Sequence, residues 1–161
     1  MRDERFKAAH RGGPLDLRRH QLLAVWAADC AEHVLPLFDE CYPQDHRPRR
    51  AIDTARAWAR GEVSVGEARA AAVAAHAAAR DAANEAARAA ARAAGQAVGT
   101  AHMADHAPHA AAYAIQAVRT AGNGQDDGAA ADRERIWQQE RLPEEIRALV
   151  LSAGERQSTS D

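Results

Sequence analysis

"SVGEARAAAVAAHAAARDAANEAARAAARAAGQAVG", residues 64–99, is mostly alanine, interrupted by arginines and single polar residues. Alanine fixes no side-chain rotamer and has the highest helix propensity of any residue, so the whole tract reads as helix. Its start is marked by "SVGE" at 64–67, a capping box in which Ser64 takes a helix amide and Glu67 reaches back to the Ser64 amide. "RDAAN" at 80–84 is where the run can break, and Gly95 is not expected to stop it. No period-two alternation appears in the chain, no leucine or isoleucine heptad marks a long coiled coil, and the alanine tract has no fixed repeat. The fold class is therefore all-α.

Working outward, Asp16 is a good N-cap for a first helix through "LRRHQLLAVWAADCAEHVLPLFDE", with Leu22, Leu23, Trp26, Cys30 and Val34 on one face. Pro36 should end or kink it, leaving 36–40 as a separate short turn. "CYPQDHRPRR" is a connection, Pro48 suits the first turn of the next helix, and Gly61 stops that helix. Downstream, "AAGQAVGTAHMADHA" is expected to continue as helix, and Pro108 to start another that ends near Thr120. "AGNGQDDG" is the clearest loop, a polar helix spans about 129–140, and Pro143 opens a last helix through Ser152. The organisation expected is a polar lead-in over 1–15, one helical domain over 16–152, and a disordered tail over 153–161. The architecture expected is a single-domain compact bundle of about six to seven helices.

Of the 161 residues, 47% are hydrophobic but only 4% aromatic, so each buried position contributes little apolar area. The core must be alanine-rich and closely packed, with Trp26, Phe38, Trp58, Tyr113 and Trp137 carrying much of the packing. A formal charge of −2 gives no reason to expect a nucleic-acid partner. The arginines at 47, 49, 50, 56 and 60 read as a solvated face, with Asp53 able to pair with Arg49 and Arg56 along one helix. Cys30 and Cys41 form no C-x-x-C pair, and no disulfide is expected. Asp29, Glu32 and His33 interrupt the one long apolar stretch, which excludes a membrane span, and "MRDERFKAAHRGG" lacks a signal peptide's apolar run. Both observations place the protein in the cytoplasm.

The chemistry-bearing stretch is "AHMADHAPHA", residues 101–110, with His102, Asp105, His106 and His109. On a helix, separations of 3, 4 and 7 share one face, so His102 and His106 could form a zinc pair with Asp105 or His109 as a third ligand. The order H-M-A-D-H is nearer the inverted metalloprotease arrangement H-x-x-E-H, with the shorter Asp in the base position. Pro108 disfavours helical backbone at Ala107 and can swing His109 off the face. Gly95, Val98, Gly99, His102 and His106 also follow at steps of three and four, a pattern of close helix contact with histidines packed in it or lining a cleft. His102, Asp105 and His106 are thus candidates for a pocket or a partner contact. No catalytic residue, metal or cofactor is assigned. His76, inside the alanine helix, reads as packed, and nothing marks His33 as a base. There is no G-x-S-x-G, no phosphate loop, and no cysteine in a recognisable catalytic setting.

Three blocks, "HQLLAVWAADCAEHVLPLFDE", "RPRRAIDTARAWARGEVSVGEARAAAVAAHAAAR" and "AARAAGQAVGTAHMADHAPHAAAYAIQAV", resemble the small all-α immunity proteins of bacterial polymorphic-toxin systems, the immunity-protein-five-like group. The resemblance covers about residues 18–121. It implies a helical protein that binds a cognate toxin and blocks it by steric occlusion, with no catalytic residues to carry over. His102 and His106 fall where the family pattern also tends to carry histidine, whereas His109 departs from it. The alternatives are a metal-dependent helical hydrolase using His102, His106 and Asp105, and a small-ligand-binding bundle with the histidines lining its pocket. Oligomeric state stays open.

Overall fold

Asp16 accepts a hydrogen bond from the Arg19 amide at 2.8 Å and opens the first helix, α1, over Leu17–Val34. The proline at 36 has no amide to continue it, and the four-residue α2, Pro36–Asp39, follows directly. The computed structural model describes residues 2–122 and 127–158, with side chains through Gly154. Helix α3 spans Arg47–Ala59, with Pro48 in its first turn, and Gly61 then turns the chain at a φ of 76°, a left-handed conformation that favours glycine. The capping box at Ser64 and Glu67 is fully formed at the start of α4, Val65–Asp81. The alanine tract does break at residues 82–84, where the Asn84 side chain accepts from the Ala87 amide and caps α5, Glu85–Gly99.

The stretch expected to continue as helix past Gly99 does not. The chain turns through residues 100–105 and re-enters helix only at α6, His106–Ala121. A continuous helix would need an amide at position 108 to bond the Ala104 carbonyl, and Pro108 has none; a proline is tolerated in the first turn of a new helix instead. Helices α7, Asp127–Glu140, and α8, Glu144–Ser158, complete the chain. Most of the expected loop "AGNGQDDG" lies outside the described residues. Helix α8 runs past the Ser152 end expected from sequence, and the last residues of the proposed tail again lie outside the described ones.

The fold is an all-α bundle of eight helices among the described residues, one helix above the expected range because the alanine tract divides and the short α2 counts. Helix α5 is its axis, packing against α1, α2, α3, α4 and α6. Ala86, Ala87, Ala89, Ala90, Ala91, Ala93, Ala94, Gly95, Ala97 and Val98 of α5 are all buried, so this helix is apolar nearly all round. Side chains this small let five neighbours approach one axis closely. The larger side chains fill the periphery of that core. Trp26 and Phe38 are buried, whereas Trp58 and Tyr113 are only half-buried against it. The lead-in is not loose: Phe6 and Leu15 are buried, and Arg5 donates to Ser152 of α8 at 2.6 Å. Among the described residues no helix is long and apolar enough to cross a membrane.

Candidate functional site

Helices α4, α5 and α6 enclose an open groove of about 360 Å³, lined by Arg69, Ala72, Val73, His76 and Arg80 of α4, Gly95, Gln96 and Gly99 of α5, and His102 and His106. Along α4, positions 69, 72, 73, 76 and 80 follow at helical steps of three and four, so one stripe of the helix forms a whole wall. The floor is glycine. A Cβ at Gly95 would lie 2.7 Å from the His76 ring, and one at Gly99 would lie 3.4 Å from the His106 ring. The two glycines therefore take imidazoles rather than the backbone of another helix.

The expected row of four polar residues on one face is taken apart by the break at 100–105. His102 sits in the turn, His106 is the first residue of α6, and both line the groove. Asp105 points to the lead-in, where its carboxylate lies 3.6 Å from Arg2 Nε. His109 is exposed, its ring edge-on to that of His106 at 6.2 Å. Among the described residues no three His, Cys, Asp or Glu side chains are grouped so as to hold a metal ion.

His106 Nδ1 donates to the Gln96 amide oxygen at 2.6 Å, which leaves Nε2 as its lone-pair nitrogen. The Nδ1 atoms of His76 and His102 are buried without a hydrogen-bond partner among the described residues. Burial holds all three imidazoles below the ordinary histidine range. Arg92, His106 and Arg80 add to this at His76, and Arg69, Arg11 and Arg2 at His102. For His106 the burial effect is partly offset by Asp105. The three are therefore neutral near pH 7, within a groove whose rim charges, Arg69 and Arg80, are both positive. His76 was legible as a member of this site, since it shares a stripe with Arg69, Val73 and Arg80, but its partners on α5 are visible only in three dimensions.

A second polar cluster escaped the sequence altogether. Glu134 of α7 is 5% exposed and accepts from His33 Nδ1 of α1 at 2.9 Å. Trp137 stacks on the His33 ring at 3.7 Å with the planes 1° apart, and the Arg141 guanidinium lies 3.8 Å from the Trp137 ring centroid. Nearby, Cys30 is buried and its thiol is pushed well up, first by burial and then by Glu134, so it stays protonated and is a poor nucleophile. The cluster clamps α7 to α1.

A family model described as "Imm-5 like putative immunity protein" matches residues 13–145. The chain belongs to that family. The matched span runs from just before α1 into α8 and contains both the groove and the α1–α7 clamp. It includes the 18–121 region whose blocks carry the resemblance. Membership gives this Imm-5 like chain an immunity role in general. No curated protein and no solved structure matches it.

Proposed function

We propose that the protein is a cytoplasmic immunity protein that binds one cognate bacterial toxin and neutralises it by steric occlusion. The observation that carries this reading is the family match over residues 13–145, which takes in nearly the whole helical bundle. The distribution of reactive groups supports binding rather than turnover. The one deeply buried cysteine is held as the thiol, the imidazole of His33 is tied to Glu134, His76 and His102 lie among arginines, and the one acid near His106, Asp105, is turned to Arg2. A rigid scaffold around α5 suits occlusion, because a preformed surface loses little freedom on docking.

The test is association with the product of the toxin gene adjacent to this one. Tight 1:1 binding in solution and rescue of growth when both are co-expressed are the expected results. Failure of both with every adjacent candidate would end the reading.

A further inference from the structure

We propose that the groove between α4, α5 and α6 is the surface that receives the toxin, and that its occupant is an acidic segment carrying an apolar side chain. The inference rests on the immunity reading above and adds the place and the chemistry of the contact.

Charge supplies the first argument. The protein carries a formal −2, yet no Asp or Glu lines this groove. The arginines of the α3 region that lie near acids are matched: Arg47 with Asp45 and Asp81, Arg49 with Glu32, Arg56 with Asp29 and Glu32, Arg60 with Glu62. Arg69 and Arg80 have no ion-pair or side-chain hydrogen-bond partner among the described residues. Even Asp81, the immediate neighbour of Arg80, is engaged by Arg47 at 3.0 Å. The fold leaves two guanidiniums unmatched along the α4 wall of a groove with no acid in its lining, and a carboxylate-bearing partner supplies what they lack.

The second argument is hydrogen bonding. Buried polar atoms nearly always find partners, and those that do not need a reason. Of the buried side-chain atoms without a partner among the described residues, two of three are His76 Nδ1 and His102 Nδ1, and both residues line this groove. The rings rest on the groove side of glycines or in a turn, so their nitrogens can be re-aimed by rotation without disturbing a packed core. The third argument is apolar. Val73 is 68% exposed, the most exposed large hydrophobic side chain in the described chain, and it stands on the α4 wall between Arg69 and His76. An exposed valine flanked by unmatched cations fits a segment in which an apolar residue adjoins Asp or Glu. It fits nucleic acid poorly, because a phosphate backbone offers nothing to Val73 and Ala72.

The experiment uses the full chain and the adjacent toxin. Arg69→Glu with Arg80→Glu in one protein should weaken the complex by about 100-fold or more, since like charges opposed across an interface are strongly repulsive. Arg50→Glu with Arg133→Glu, exposed positions on α3 and α7, makes the same change in net charge and should leave Kd within about threefold. Val73→Asp, a single exposed change, repeats the test if the double variant does not fold. Unchanged toxin binding by the groove variants overturns the proposal while the immunity reading stands. Wild-type protein that neither binds nor rescues removes both. Binding of single- or double-stranded DNA that the groove variants lose, with toxin binding intact, also overturns it.

Discussion

The α1 side of the bundle and the α4–α5–α6 groove are built from the same residue types and treat them in opposite ways. On the α1 side, Arg56 bonds both Asp29 and Glu32, His33 bonds a buried Glu134, and Trp137 is sandwiched between His33 and Arg141. Each polar group there faces a complement from another helix. In the groove, two histidine nitrogens have no partner and two arginines have no acid among the described residues. Groups that hold helices together are matched within the fold; groups left unmatched at a surface are free for something outside it.

The largest effect should come from the matched side. Glu134→Ala removes the acceptor of His33 and part of the α7 contact, and should lower stability by about 2 kcal/mol, the usual worth of a hydrogen bond to a charged group. Thermal melts measure it, and faster amide exchange along α7 would locate the loss. An unchanged melting temperature would show that burying this carboxylate costs as much as its bond returns, and the contrast between the two regions would fail on its stronger side.

This clamp also marks the limit of what the sequence discloses. Local signals read correctly: Asp16, the Ser64–Glu67 box and Pro36 all act where they were expected, because caps and prolines work within a few residues. Asn84 turned the suspected break at 80–84 into a definite one by the same kind of local bond. His33 and Glu134 lie 101 residues apart, and no local pattern links them. The arginines of α3 show the same limit. Arg49 and Arg56 could pair with Asp53 along their own helix, but they reach across to Glu32 and Asp29 of α1, where the partners are less exposed to water. His102 and His106 do share a groove, though not by sharing a helix face; the break at 100–105 that parts them contains no proline, and Asp105 makes no capping bond that would announce it.

Acid should separate the two regions into different pH windows. His76, His102 and His106 are held below their unfolded value, so the unfolded chain binds protons first and stability falls as pH drops below about 6.5. His20, buried and donating to the Thr100 carbonyl at 2.6 Å, acts in the same direction and window. Glu32, held down by Arg56 and Arg49, gives stability that is present above its unfolded value of 4.5 and lost as pH falls further. Denaturant midpoints across pH 4 to 8 should show both declines, and His76→Gln with His102→Gln should flatten only the upper one. A single decline confined to low pH would mean that the groove histidines are not held neutral by the fold.

Gly95→Ala should have a smaller effect on stability and a clear effect on geometry. The new Cβ would come within 2.7 Å of His76 Cε1 and Nε2, so the ring must move. It lies at the end of a half-buried side chain beside an open groove, and it can. Alanine also gains up to about 1 kcal/mol over glycine in helix propensity, which offsets the cost of the shift. The expected result is a stability within about 1 kcal/mol of the parent and a displaced His76 imidazole resonance by NMR. A loss well above that would show that His76 is locked in a packed core, as the sequence alone suggested, and that the floor of the groove is not adjustable.

The smallest stability effects should lie at the rim, and their smallness is the point. Arg69→Ala breaks no ion pair among the described residues, and Val73→Ala withdraws a side chain that is already 68% exposed. Both substitutions replace a residue with a better helix former, so each should change stability by no more than about 0.5 kcal/mol. Arg56→Ala, which gives up contacts to Asp29 at 2.8 Å and Glu32 at 2.9 Å, should cost more even after solvent screening of partners that are 39% and 42% exposed. Removing Arg69 should also let the His102 pKa rise, because that guanidinium is the largest charge effect holding it down. Paired melts of the three variants, with the His102 titration followed by NMR, decide the matter. If Arg69→Ala destabilises the fold as much as Arg56→Ala, the rim is part of the framework and the two regions differ only in appearance. If it does not, while toxin binding falls, the unmatched charges of the groove serve the partner rather than the fold.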